Sequence, residues 1–117
     1  MSARRAAARR KVSPVLLSQV AARFRALAEP ARLAVLHALE AGELTVGELA
    51  EVTELSQANL SKHLQQLHAA GLVTRRRDGM YVHYALADDD VLALCELMCG
   101  RLEGEVTAAR AMLDRRF

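Results

Sequence analysis

The apolar residues of this chain follow two different spacings, and the change falls at Leu72. Before it, leucines recur three and four positions apart, as at Leu60, Leu64 and Leu67, which is the spacing of an amphipathic helix. After it, apolar and polar residues alternate on both sides of Asp78-Gly79, which predicts two antiparallel strands joined by a type I′ turn. The pattern therefore predicts a mainly α fold with a small β-hairpin.

The composition agrees with a mainly helical domain and indicates in which cell compartment the protein is expected. Ala and Leu are strong helix formers, and they dominate a sequence that is 52% hydrophobic but only 3% aromatic, which excludes an all-β sandwich. The length of 117 residues suits one domain. No apolar stretch is long enough for a membrane span or a secretory signal, so we expect no membrane partner. We expect a cytoplasmic protein whose two cysteines stay reduced.

Capping and breaking residues predict the order of the elements. Ser13-Pro14 opens a first helix and Pro30 a second, Thr45 with Glu48 forms a capping box for a third, and Ser56 caps a fourth. The hairpin and a long last helix follow, so the expected order is ααααββα. The expected helices span about 14–28, 30–42, 45–53, 56–70 and 88–113.

The charge of the first residues predicts where the structured domain begins. Residues 1–11 carry four arginines and one lysine but no acid. We therefore expect a disordered basic arm over residues 1–12 and a structured domain over residues 13–117.

The fourth helix has an outward face that suits DNA. Its leucine stripe must be buried, and the opposite face is small or hydrogen-bonding, with one lysine and no acid. Such a face can enter the major groove and offer amides and hydroxyls to base edges. An ordinary solvated helix surface is the alternative interpretation. The residues that we expect to contact DNA are Gln57, Ala58, Asn59, Ser61, Lys62, His63 and Gln65.

The hairpin adds a basic strand after this helix. Arg75, Arg76 and Arg77 lead into the turn, and Tyr81 and His83 lie on the outer side of the return strand. Arginines suit phosphates and a narrow minor groove, whereas a charged edge strand that resists aggregation is the alternative. Both features in this order favour DNA binding, with the three arginines and Tyr81 as contacts.

Several motifs, standing in order along the chain, resemble those of the ArsR/SmtB family of bacterial repressors. They are the run Leu27–Leu36 (LAEPARLAVL), the segment Ser56–Leu64 (SQANLSKHL), and the residues Ala70–Val73 and Arg77–Gly79 of the hairpin region. The resemblance covers about residues 15–103. It implies a winged helix-turn-helix fold in a homodimeric transcriptional repressor, which binds double-stranded operator DNA and releases it when an effector binds.

The family dimerises through its first and last helices, so the resemblance implies the same seam here. Both helices carry apolar stripes larger than one small domain needs. A two-fold dimer should read an inverted repeat whose half-site centres lie about 34 Å, or a multiple of it, apart. The residues expected at the seam are Leu16, Val20, Phe24, Val91, Leu94, Met98, Leu102 and Val106.

The effector sites of the family are incomplete in this sequence. The Cys-Val-Cys site for arsenic and cadmium falls on Thr45-Val46-Gly47, and the zinc site on the last helix keeps only its first carboxylate, Asp88. The persulfide-sensing pair would need a cysteine where His37 stands.

Cys95 and Cys99 remain as the candidate sensor, four positions apart on the last helix. Such a pair has Cβ atoms about 5–6 Å apart, which is wide for a disulfide at about 3.8 Å. A bridging thiophilic metal or metalloid ion such as arsenite or antimonite spans the gap more easily. Redox or persulfide sensing and a purely structural role stay open as alternatives. We expect no constitutive cofactor.

Patterns typical of enzymes are missing from the sequence. It contains no glycine-rich phosphate loop, no His-x-x-x-His and no Cys-x-x-Cys, so we expect no enzymatic activity. The remaining rival is a winged-helix module that binds protein instead of DNA. Its affinity for duplex DNA would lack the steep salt dependence that phosphate contacts produce.

Overall fold

The protein, in a computed structural model that describes residues 11–116, consists of five α-helices and a three-stranded antiparallel sheet. The order of helices and hairpin strands agrees with the prediction, and the structure adds one short strand before the third helix. The elements are α1 (Pro14–Leu27), α2 (Pro30–Ala38) with a 3-10 turn (Leu39–Ala41), β1 (Leu44–Thr45), α3 (Val46–Thr53), α4 (Gln57–Ala69), β2 (Val73–Asp78), β3 (Tyr81–Leu86) and α5 (Asp89–Arg116).

The helices begin at the capping residues that the sequence predicts. Ser13, Ser56 and Asp88 each accept a hydrogen bond from the backbone N–H three positions along, at 3.1, 3.2 and 3.2 Å. The N–H of Thr45 donates to Glu48 Oε1 at 2.9 Å, while the N–H of Glu48 donates to Thr45 Oγ1 at 3.2 Å. The predicted capping box is therefore confirmed, and it satisfies two donors that a helix start leaves free.

The hairpin turn differs from the predicted type. Asp78 pairs with Tyr81, so the two loop residues are Gly79 and Met80, not Asp78 and Gly79. Of the two, only Gly79 has a positive φ, at 63°. That is the pattern of a type II′ turn, because a type I′ turn needs two residues with positive φ. The prediction of type I′ was wrong because Asp78 is held in the strand ladder.

The strand that the sequence did not predict attaches the hairpin to the helices. In β1, Leu44 pairs with Tyr84 and Thr45 pairs with His83, so β3 lies between β1 and β2. A two-residue strand is too short to show alternation, which is why no sequence pattern revealed it.

The core lies where α2, α3 and α4 meet the inner face of the sheet. Among the described residues, no polar or charged residue is buried. Seven side chains are almost completely buried: Val35, Leu36, Leu39, Leu49, Leu60, Leu64 and Leu67. Each such leucine stabilises the fold by about 1.5–3 kcal/mol through burial.

The first and last helices leave much of their apolar surface uncovered. On α5, every residue from Glu96 to Asp114 is exposed, although the helix has 28 residues. The expected seam residues Leu16, Val20, Phe24, Leu94, Met98, Leu102 and Val106 are all exposed. Val91 is the exception, because it is only 8% exposed and packs in the chain's own core. Val91 therefore has little surface left for a partner, and its place at the seam stays a prediction.

The described residues limit two other expectations. Residues 1–10 of the expected basic arm lie outside them, and the remainder of that arm, residues 11 and 12, has no regular structure and is exposed. Within the described part of the chain, no helix is both long and apolar enough to cross a membrane.

Candidate nucleic-acid interface

Helix α4 separates a buried face from a polar one, as the sequence predicts. Leu60, Leu64 and Leu67 are at most 1% exposed. The expected contact residues on the opposite face are exposed: Gln57, Ala58, Asn59, Ser61, Lys62 and Gln65. We call these six residues the reading face. Helix α4 contains no acidic residue, so nothing on it repels phosphate.

A tight turn between α3 and α4 sets the angle of the reading helix. Glu54 closes α3 in the left-handed region, at φ 62° and ψ 17°, and its N–H donates to the carbonyl of Ala50 at 3.0 Å. The hydroxyl of Thr53 donates to the carbonyl of Leu49 at 2.6 Å and accepts from the N–H of Leu55 at 3.4 Å. The Glu54 bond satisfies a carbonyl that the end of α3 would otherwise leave free, and the Thr53 hydroxyl links the last turn of α3 to Leu55.

The strand register divides the three arginines of the hairpin between two faces. Arg75 pairs with Tyr84 and Arg77 with Val82, so both arginines lie on the side of the sheet that faces the helical core. The core does not extend to them, and both are exposed. Arg76 pairs with His83 and lies on the opposite face. The alternation expected from the sequence is thus present.

Arg76 is engaged by a carboxylate on that opposite face. Its Nη2 and Nε donate to Glu43 Oε1 and Oε2 at 2.6 and 3.2 Å. This hydrogen bonding from Arg76 lowers the pKa of the Glu43 carboxyl, and the positive charge of Arg76 lowers it further. The same pair raises the pKa of Arg76. The expected contact Arg76 therefore already has an anionic partner within the protein, and its role in DNA binding stays a prediction.

His63 also has a partner within the protein. It is half-buried, and its Nδ1 accepts a hydrogen bond from Arg32 Nε at 3.4 Å. The seventh expected contact on α4 therefore does not belong to the exposed reading face. Tyr81, the remaining expected contact, is 65% exposed at the start of β3.

The two cysteines share one cleft between α2 and α5. This cleft has a volume of about 290 Å³ and is lined by both cysteines together with His37 and Glu40. Cys95 is half-buried and Cys99 is exposed, and both are free thiols. Burial raises the pKa of Cys95, and the neighbouring Cys99 raises it further. Within residues 11–116, no group of three His, Cys, Asp or Glu side chains is placed to hold a metal ion.

Sequence reasoning missed Arg32 and Glu43. Arg32 is the only Lys or Arg between residues 29 and 54, a segment with six acids, and that contrast was the available signal. Glu43 lies 33 positions from Arg76, and only the β1–β3 pairing brings the two together.

A helix-turn-helix with an exposed, acid-free reading face beside a basic hairpin defines a winged helix-turn-helix transcriptional regulator that binds DNA. The chain belongs to the family described as bacterial regulatory protein, arsR family, whose profile matches residues 29–75. The resemblance seen in the sequence motifs is thus confirmed.

Two curated relatives illustrate the match. The transcriptional repressor SmtB homolog of Synechocystis sp. is 37% identical over 99 residues, which cover 80% of this chain and 75% of that protein. The nodulation protein NolR of Rhizobium meliloti is 42% identical over 78 residues, which cover 66% of this chain and 64% of that protein.

Two solved structures are similar over most of their length. The homodimeric winged helix-turn-helix DNA-binding domain Mb0332 of Mycobacterium bovis has a TM-score of 0.72 and 35% identity, covering 91% of each chain. The AntR antimony-specific transcriptional repressor has a TM-score of 0.75 and 30% identity, covering 86% of this chain and 91% of that one.

Proposed function

We propose that the protein is a homodimeric repressor that binds an inverted repeat in double-stranded DNA and releases it when an effector reaches Cys95 and Cys99. The observation that carries the DNA-binding part is the exposed reading face on α4 together with Arg75 and Arg77. These two arginines of the hairpin, or wing, are exposed and lie on the face of the sheet opposite Arg76. Amides and hydroxyls on such a helix match base edges, and the arginines match phosphates or the minor groove.

The contacts divide by chemistry. Gln57, Ser61 and Gln65 read bases in the major groove, because their side chains both donate and accept hydrogen bonds. Lys62, with its ammonium group, binds phosphate and fixes the register without reading sequence. Arg75 and Arg77 extend the contact beyond the groove that α4 occupies.

Dimerisation is supported by the uncovered surface of α1 and α5. Helix α5 spans about 42 Å, and it leaves the core after Cys95. Its outer part exposes Leu97, Met98, Leu102 and Val106 to water, so packing of this face against a partner would stabilise it. A second copy of the chain would provide a complementary apolar stripe, and the domain Mb0332, to which this fold is similar, is homodimeric. The two-fold axis then places two reading helices on successive turns of the operator.

The effector is proposed to be a thiophilic metal or metalloid ion. One chain offers two thiols at helical spacing and no third ligand among its described residues. Pairing of α5 with its counterpart would add the partner's thiols to the same site. The raised pKa of Cys95 opposes a thiolate that attacks peroxide or persulfide, whereas a soft ion displaces the proton on binding. The similar fold of an antimony-specific repressor supports the same class of effector.

Selection from a random duplex library tests the DNA-binding part. We expect enrichment of an inverted repeat, together with an affinity that falls steeply as salt increases. Recovery of no preferred sequence, or a flat salt dependence, would favour a module that binds protein.

The selected duplex then serves to test the effector part. We expect arsenite or antimonite to release the duplex, and we expect peroxide and persulfide to leave it bound. Release by peroxide or persulfide without release by any ion would establish the redox alternative. Release by neither would leave the cysteines with a structural role.

A further inference from the structure

Arg32 joins the end of the first helix to the reading helix. Its Nη1 donates to the carbonyl of Ala26 in the last turn of α1 at 3.3 Å, and its Nε donates to His63 Nδ1 on α4 at 3.4 Å. The side chain itself belongs to the first turn of α2. The guanidinium of this α2 residue thus contacts two other helices: α1, which belongs to the proposed seam, and α4, which is the proposed reading element.

The bond to α1 provides a hydrogen-bond donor for a backbone carbonyl that the sequence leaves without one. The carbonyl of Ala26 would normally accept from the N–H of residue 30, but that residue is Pro30, which has no N–H. Ala26 is 7% exposed, so water has little access to this part of the helix. Arg32 supplies a donor at this position.

The bond to α4 makes His63 the acceptor. Arginine can only donate, so Nδ1 of His63 accepts the hydrogen bond from Arg32. His63 lies next to the buried Leu64 and is itself half-buried. The side chain of His63 is thus directed toward Arg32 on α2.

We infer that Arg32 is a positioning residue for DNA recognition, which holds α4 in register with the end of α1 through His63. This inference rests on the proposed function, because Arg32 would act on the sequence specificity of the same reading face by positioning α4. The planar fork of arginine is needed because one side chain must donate in two directions, which a lysine ammonium does less well.

The test compares the affinity for the duplex selected by the wild type with that for a scrambled duplex. For Arg32→Lys and His63→Leu we expect the ratio of the two affinities to fall about 2- to 10-fold, the value of one hydrogen bond. The affinity for the scrambled duplex and the slope of log affinity against log salt should stay unchanged, since no phosphate contact is lost. His63→Asn, whose side-chain oxygen can replace Nδ1 as acceptor, should restore most of the ratio.

Arg25→Lys is the matched control, because Arg25 is an exposed arginine in the last turn of α1. It should leave the ratio unchanged. Thermal unfolding of every variant identifies the temperature range in which all are folded, and the affinities are compared there. The double variant Arg32→Lys with His63→Leu should lose no more than the larger single loss, because both changes break the same bond between Arg32 and His63.

Three results would overturn the inference. The first is a salt slope that drops by about one in His63→Leu, which marks a phosphate contact. The second is additive loss in the double variant, and the third is an unchanged ratio in Arg32→Lys. If the wild type itself selects no sequence, the proposed function fails and the inference fails with it. Selection of an inverted repeat with any of the three results overturns only the role of Arg32.

Discussion

Arg76 donates two hydrogen bonds to the carboxylate of Glu43, 33 residues earlier in the chain, at 2.6 and 3.2 Å. The pair joins the hairpin to the segment before α3. It also makes Arg76 unlike its two neighbours, because Arg75 and Arg77 lie on the other face of the sheet.

The wing arginines should therefore differ in their effect on DNA binding. We expect Arg75→Ala and Arg77→Ala each to reduce the slope of log affinity against log salt by about one, which is the signature of one lost phosphate contact. Arg76→Ala should change the slope less, because its charge is already compensated. Equilibrium binding to one duplex at several salt concentrations measures all three.

Releasing Arg76 should have the opposite effect. We expect Glu43→Gln to strengthen binding to any duplex and to steepen the salt slope, since a carboxylate near phosphate is removed and a cation is freed. The double variant Glu43→Gln with Arg76→Ala is the control and should be weaker than Glu43→Gln alone. Equal affinities for these two variants would show that the freed Arg76 does not approach DNA.

Acid should weaken the fold partly through two carboxyls. Hydrogen bonds from Arg76 lower the pKa of Glu43, and those from Thr45 lower the pKa of Glu48, below the ordinary value of 4.5. Folding therefore favours the ionised forms, so their contribution is present above pH 4.5 and is lost as the pH falls through the folded-state pKa.

This contribution can be measured by urea unfolding as a function of pH. We expect the free energy of unfolding of Glu43→Gln with Glu48→Gln to fall less between pH 5 and acid than that of the wild type. Glutamine at position 48 keeps a capping side chain, so the variant should remain folded at neutral pH. If the free energy of unfolding of this variant fell with pH as steeply as that of the wild type, Glu43 and Glu48 would not be the carboxyls responsible.

Charge on the proposed seam should separate the dimer. Met98 and Leu102 are 60% and 52% exposed on α5. We expect Met98→Glu or Leu102→Glu to weaken dimerisation at least about 100-fold, since each symmetric change removes two buried side chains worth about 1.5–3 kcal/mol. Sedimentation velocity measures this loss, and circular dichroism should show lower helix content as α5 frays. Val52→Glu, at a 62% exposed position on α3, should leave the dimer intact.

The two faces of α4 should respond to substitution in different ways. Ser61→Ala and Gln65→Ala should relax the sequence preference, at about 1–3 kcal/mol of discrimination for each good base contact, with little effect on stability. Leu64→Ala should instead destabilise the fold by about 2–5 kcal/mol, because Leu64 is 1% exposed. Sequence selection and thermal unfolding separate the two effects, and an intact preference in the polar variants would show that bases are read elsewhere.

Both cysteines should be needed for the response to a soft ion. We expect Cys95→Ser and Cys99→Ser to keep DNA binding but to lose release by arsenite or antimonite, because a hydroxyl is a poor ligand for such ions. In the wild type, a coupling of about 1–3 kcal/mol corresponds to roughly 5- to 150-fold weaker binding. Met98→Leu is the control. It replaces a side chain in the helical turn between the two cysteines by one of similar volume, so the variant should still release DNA when the ion binds. Release that persists in both serine variants would place the sensor elsewhere.

The sequence by itself determined the features that depend on neighbours three or four residues apart. Helix starts at Ser13, Thr45 and Ser56 were predictable because a cap acts within one helical turn. The buried stripe of α4 and the position of the hairpin were predictable because burial repeats with the period of each element. The family was evident for a related reason, since its motifs are continuous segments of the chain.

Tertiary structure decided which residues are available for function. Val91 belongs to the apolar stripe of α5 in sequence, yet it packs in the chain's own core and is only 8% exposed. Arg76 and His63 look like contacts in sequence, but Glu43 and Arg32 reach them from 33 and 31 residues away. No local rule contains such partners, because a side chain's neighbours across the fold depend on how whole helices and strands pack. Charge type is a property of the residue, whereas whether that charge is free for DNA is a property of the packing.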